Sequence, residues 1–140
     1  MKILEVLTPK RKLGNLGEQA AAEYLKKNGY TVLERNYVSL GNEIDIIAKS
    51  KDTLAFIEVK TRSASEGSRL YARPAAAVTP EKQRKIIKTA RYYAASHPMG
   101  LKLRLDVIEV YVTGGEQKSV ERIHHIENAF NQNTANKYYR

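Results

Sequence analysis

Two carboxylates stand where carboxylates are seldom kept. Asp45 lies inside Ile44-Asp45-Ile46-Ile47, and Glu58 lies inside Phe56-Ile57-Glu58-Val59-Lys60. An ionisable group in an apolar, strand-like run is retained when it is paired or when it binds a cation. Strand side chains alternate with period two, so Glu58 and Lys60 project to the same face. If the adjacent strand carries Asp45 on that face, two carboxylates and an ammonium converge. Such a set suits a hard divalent cation such as Mg²⁺, held by oxygens, beside a lysine that orients or polarises a water. The competing account is an ion-pair ladder across two strands. Spacing alone does not choose between them, because Asp106 followed by Glu116-Gln117-Lys118 fits the same loose pattern. That second match fails on context, since Glu116 follows Gly114-Gly115 with no apolar run before it.

Glu18 is a third candidate acid. It follows Gly14-Asn15-Leu16-Gly17 at the start of a helical stretch. Glycine costs helix stability, so a close backbone approach to something else would explain the pair. The simpler account of Glu18 is an acid favoured by the dipole at a helix N-terminus.

These residues need elements to hold them. Leu13, Leu16, Ala20, Tyr24 and Leu25 recur at helical spacing and Asn28-Gly29 is a stop, which predicts a helix over about 15–28. Strand-like runs follow at Tyr30–Val38, Glu43–Lys49 and Leu54–Lys60. Segment 61–78 has no clear period and reads as a long loop, a class that is often functional. Thr79-Pro80-Glu81 starts a second helix, with a capping hydroxyl, a first-turn proline and an acid. That helix runs to about Ser96, ahead of Pro98 and Gly100. Leu101–Val112 and Lys118–Ile126 read as strands joined by a Gly114-Gly115 hairpin turn. The order α-β-β-β-α-β-β predicts an α/β fold with one sheet and helices on it. The expected divisions are an N-terminal extension at 1–11, one domain at 12–127, and a polar tail at 128–140, with NQNTANKYYR at 131–140 expected to fray.

The chain has 140 residues, no Cys and no Trp. That length suits one domain, and the missing thiols exclude disulfides, thiolate metal sites and thiol catalysis. No apolar run approaches the roughly 20 residues that cross a bilayer, nor a signal-peptide core. A cytoplasmic protein with no membrane partner is therefore expected. The net charge of +9 is concentrated: residues 60–104 hold eleven basic residues and two acidic ones, and the remainder holds thirteen of each. A localised excess of this kind is the electrostatic footprint of a polyanion-binding surface.

The second helix carries part of that excess. At 100° per residue, Ile86, Ile87, Ala90, Tyr93 and Ala94 share one arc, while Arg84, Lys85, Lys88 and Arg91 form a basic stripe opposite. Gln83 falls near the apolar arc, where an amide needs partners. Together with Lys82 and with Arg62, Arg69 and Arg73 of the loop, these are the candidate phosphate contacts; a solvated helix face is the plainer alternative. His124 and His125 are consecutive in a strand and cannot share a metal. Arg104 and Asp106 share a strand face and can pair.

LGNLGEQAAAEYL, GNEIDIIA, FIEVKTR, AVTPEKQRKI and RLDVIEV, spread over about residues 12–126, resemble the bacterial YraN-type family. Its members look like Holliday-junction resolvases of the PD-(D/E)XK nuclease superfamily. The resemblance implies a restriction-endonuclease-like fold, with an αβββαβ core and a mixed central sheet flanked by helices. By the superfamily's motif, Asp45 and Glu58 would be metal ligands and Lys60 the catalytic lysine. Glu18 matches the acid that the superfamily's first helix often adds. Some of these nucleases carry Gln-x-x-x-Tyr in the second helix; here Ile87 stands at the tyrosine position, so only Gln83 matches. The expected function is a Mg²⁺- or Mn²⁺-dependent endonuclease hydrolysing phosphodiester bonds in DNA, branched or damaged DNA included. RNA stays open as a substrate, and a homodimer would suit a symmetric one. The alternative is a non-catalytic module of nuclease-like fold that binds nucleic acid or a protein.

Overall fold

Asn28-Gly29 ends the first helix by turning the chain left-handed. Gly29 takes φ +87, and the Tyr30 N–H donates to the Leu25 carbonyl at 3.0 Å. The turn delivers the chain from α1 (Pro9–Lys27) into the first strand. In the computed structural model of the chain, residues 9–64, 78–115 and 117–136 are described. β1 (Thr31–Ser39), β2 (Asn42–Lys49) and β3 (Thr53–Ser63) follow, then α2 (Pro80–Ser96), β4 (Lys102–Val112), β5 (Val120–Ile126) and a short α3 (Gln132–Asn136). The strands form one sheet in the order β1-β2-β3-β4-β5. β3 and β4 run parallel, with α2 in the crossover between them, and the other neighbours are antiparallel.

The central strands are apolar on both faces because a helix covers each. Ile46, Ala48, Ala55, Ile57, Ile108 and Val110 pack with Ala21, Ala22 and Leu25 of α1. Ile47, Leu54, Phe56, Leu105 and Val107 pack with Ile86, Ile87, Ala90 and Tyr93 of α2. Thr79 caps α2 as its sequence predicts, accepting the Lys82 N–H at 3.2 Å. The mixed α/β architecture, a five-stranded sheet flanked by helices, thus agrees with the expectation. Among the described residues no helix is long and apolar enough to cross a membrane.

Four local expectations change. α1 starts at Pro9 rather than near residue 15, so it crosses the boundary expected at 11/12. β3 continues to Ser63, carrying Thr61 and Arg62 on the strand rather than in the loop. The β4–β5 connection is longer than a Gly-Gly turn, closing where Thr113 N–H meets the Ser119 carbonyl at 2.8 Å. The segment after residue 127 is not frayed as far as Asn136: Ala129 and Phe130 are buried, and the Ala129 N–H reaches the Leu105 carbonyl at 2.8 Å. Phe130 fills the α2-side core, which a polar average over the tail hides.

Candidate active site

The site lies where β2 and β3 part. Their pairing runs from Lys49↔Leu54 to Ile46↔Ile57 and ends there. Beyond it β3 stays paired to β4, and β2 stays paired to β1. Asp45 is the first residue past the fork, and its Oδ2 accepts the Val59 N–H at 2.8 Å. A side chain thus takes a bond that a strand would otherwise offer.

Side-chain alternation breaks at the same place. Ile44 packs in the α2-side core and Ile46 in the α1-side core, although residues two apart in a strand share a face. On β1, the residue between Arg35 (opposite Ile46) and Tyr37 (opposite Ile44) is Asn36, whose φ is +52. The left-handed residue supplies the local twist that lets Ile44 and Ile46 face opposite ways. With its amide nitrogen towards the carboxylates, Asn36 donates to Glu18 Oε1 at 2.8 Å and Glu43 Oε1 at 2.9 Å.

Glu58 is 6% exposed. Its Oε1 lies 2.7 Å from Lys82 Nζ and 3.7 Å from Lys60 Nζ. The closer ammonium comes from the first turn of α2, a position that spacing along the strand cannot reveal. Glu18 is brought near by Gly17, whose added Cβ would collide with the Thr61 side chain on β3. The expected close backbone approach therefore holds for Gly17 and fails for Gly14, which has open space around it.

The charges do not balance around Asp45. Burial first, then the Glu58 charge, push its carboxyl up to about 7; Glu18 adds to this, while the Val59 N–H and the Lys82 ammonium oppose it. Glu18 is also raised, by burial and by Glu43 and Glu58 against Arg35. For Lys82, burial favours the neutral amine, but the Glu58 hydrogen bond and the charges of Glu58, Asp45 and Glu43 win and raise it. Among the described residues no three His, Cys, Asp or Glu side chains stand close enough to hold a metal ion together. The expected set of Glu18, Asp45 and Glu58 is thus electrostatically linked rather than closed, with Asp45 and Glu58 as its nearer pair. Their hard oxygens and unbalanced charge still fit a divalent cation better than any soft metal.

The model of the uncharacterised protein family UPF0102 matches residues 17–110, which takes in every one of these site residues. The chain belongs to this family. A UPF0102 protein of Clostridium acetobutylicum is 46% identical over 121 residues, covering 86% of this chain and 94% of its own. One from Desulfosudis oleivorans is 43% identical over 131 residues, covering 93% and 98%. A third, from Caldanaerobacter subterraneus, is 42% identical over 122 residues, covering 86% and 96%.

In this UPF0102 chain the remaining candidates scatter. Lys85, Lys88 and Arg91 are exposed on α2 and Arg84 is half-buried, so the basic stripe exists. Lys85 pairs with Glu81 at 3.5 Å. Gln83 is not part of that surface: it is 2% exposed, its Nε2 donates to the Val78 carbonyl at 2.7 Å, and its Oε1 accepts from Thr134 Oγ1 at 2.8 Å. It ties α2 to α3. Arg62 points back to Glu109, Nε to Oε2 at 3.8 Å, rather than out to solvent alone. Arg69 and Arg73 lie outside the described residues.

Two further buried acids have complete surroundings. Asp106, fully buried, takes Arg104 Nε at 2.9 Å and NH2 at 2.8 Å, His125 Nε2 at 2.8 Å and the Asn128 N–H at 2.9 Å. Burial would raise its carboxyl, but these bonds outweigh it and the net shift is downward. Glu109, the register partner of Lys60, accepts from Tyr111 Oη at 3.0 Å and meets His124 Nδ1 at 3.1 Å. The two histidines thus serve different acids on opposite faces, as their consecutive positions require.

Proposed function

We propose that this protein is a metal-dependent endonuclease acting on DNA, built on a restriction-endonuclease-like αβββαβ core. The observation that carries the reading is the convergence of Asp45, Glu58 and Lys60 at a fork in the sheet, with an excess of negative charge around Asp45. Asp45 and Glu58 would hold Mg²⁺ or Mn²⁺, with Glu18 adding charge behind them. Such an ion, when bound, neutralises charge on the scissile phosphate and lowers the pKa of its water. Lys60, 29% exposed beside Glu58, would orient the attacking water or meet the charge that develops on the phosphate. Lys88, Arg91 and Arg84 would contact phosphates away from the reacting bond. Such contacts carry no base information, so selectivity would be for the shape of the substrate, branched DNA included.

The test is cleavage of a labelled four-way DNA junction with Mn²⁺, resolved on a gel. Wild-type protein should cut, and Asp45→Ala and Lys60→Ala should bind the junction without cutting. Junction binding with no product in any preparation would leave the second reading, a non-catalytic DNA-binding module. One observation favours that reading: Lys82 already neutralises Glu58 at 2.7 Å, as an ion pair in a purely structural site would.

A further inference from the structure

The β1–β2 hairpin carries an exposed apolar tip that the fold does not use. Ser39 pairs with Asn42, leaving Leu40-Gly41 as a two-residue turn with φ +54 and +71. Positive φ at both central positions defines a type I′ turn, for which Asn, Asp and Gly are the fitting residues. Leucine is a poor choice, because its Cβ crowds the backbone in the left-handed region. Yet Leu40 is 54% exposed and its neighbour Val38 67% exposed, so neither gains core contact in return. Strain kept at a solvent-facing residue points outward, to something the tip meets.

The hairpin is also part of the candidate site. Beyond Ile46 its β2 arm forms no further strand pair with β3 among the described residues, the Asp45–Val59 bond aside. Its base is anchored by Tyr37, edge-on to Tyr93 at 5.1 Å, and by Asn36, which bonds Glu18. The opposite wall of the fork carries Glu58 and Lys60, and Lys82 reaches Glu58 from α2. Four residue steps of extended chain lead from Asp45 to Gly41, roughly 14 Å at strand rise, or about four steps along a nucleic-acid strand.

We propose that the Val38–Leu40 tip is a wedge that enters the base stack of a DNA substrate about four steps from the carboxylate centre. This rests on the DNA reading above and adds how a branched or weakened duplex would be favoured: unstacking costs least where stacking is already interrupted. A second copy of the chain is a poorer occupant. Two side chains do not approach the roughly 800 Å² per partner of a stable protein interface.

The test uses Leu40→Asn in the full chain, alone and with Val38→Thr. Binding is measured without divalent metal, by fluorescence anisotropy on a four-way junction carrying 2-aminopurine near its branch. The wild type should bind and brighten the 2-aminopurine as it unstacks. The variants should bind at least tenfold more weakly, lose the brightening, and still fold. Asn suits the left-handed turn, so Leu40→Asn should raise Tm by about 3 °C, opposite to the fall expected of a residue that packs. Equal affinity and brightening in the variants would overturn the wedge while leaving the nuclease reading intact. A change confined to sedimentation would overturn it in favour of self-association. If the wild type binds no DNA, the wedge and the DNA reading fall together.

Discussion

Asp106 and Asp45 sit one row apart in the same sheet, and their surroundings diverge. Asp106 lies level with Ile57 on β3, and Ile57 lies level with Ile46, the residue after Asp45. Asp106 has a two-point guanidinium, an imidazole and a backbone N–H. Asp45 has one N–H and two neighbouring carboxylates, and among the described residues no ion-pair partner of its own. One acid is held below the usual carboxylate range and the other is pushed up to about 7. The contrast separates a charge that builds the fold from a charge that the fold tolerates. A tolerated, unbalanced carboxylate beside a second one is the feature on which the proposed cation site rests.

The largest effect should come from the satisfied centre. Asp106→Ala removes the buried acceptor shared by Arg104, His125 and the Asn128 N–H and should cost about 3 kcal/mol in urea unfolding. The unbalanced centre should respond with the opposite sign. Between about pH 4 and 7 the folded chain keeps a proton on Asp45 that the unfolded chain has released, so stability falls as pH rises through that window. Asp45→Asn, which can still accept the Val59 N–H, should remove the fall and stabilise the protein at pH 8, by an amount on the order of 2 kcal/mol. Asp106 predicts the reverse slope, its contribution being lost only as pH drops below the ordinary aspartate range. Matching changes of pH profile in Asp45→Asn and Asp106→Asn would break the comparison.

Two smaller effects sharpen it. Gly14→Ala should gain up to about 1 kcal/mol from helix propensity. Gly17→Ala should lose that gain to the collision with Thr61 and lower the stability relative to Gly14→Ala, as thermal unfolding would show. Lys82 is 43% exposed but its partner Glu58 only 6%, so Lys82→Met should cost about 1–2 kcal/mol, with Lys60 still 3.7 Å from Glu58. It should nevertheless tighten Mn²⁺ binding by roughly threefold to tenfold, because it removes the competitor on Glu58.

The same signal, an acid in an apolar strand, marks Asp45, Glu58, Asp106 and Glu109 alike. On sequence it singled out only Asp45 and Glu58. It could not say which acids were already satisfied, because most of their partners come from other elements, Lys82 from α2 and His124 and His125 from β5; Arg104, on the same strand as Asp106, was legible from spacing. β4 and α2 were readable because their period and caps are local. The break in alternation at Asp45 was not, since it needs Asn36 in a left-handed conformation on the neighbouring strand. Gln83 was misassigned to the phosphate surface for a related reason. Its position near the apolar arc was visible, but Thr134, which accounts for its carbonyl, lies in a segment whose polar composition reads as a tail.

The most direct measurement is a calorimetric titration of Mn²⁺ at pH 7 into wild type and Asp45→Asn, in two buffers of different ionisation heat. Uptake by the wild type, with a buffer-dependent heat as Asp45 gives up its proton, and its loss in Asp45→Asn are the predicted results. No uptake, or uptake indifferent to Asp45, would contradict the account and reduce the fork to an unusual but structural arrangement of acids.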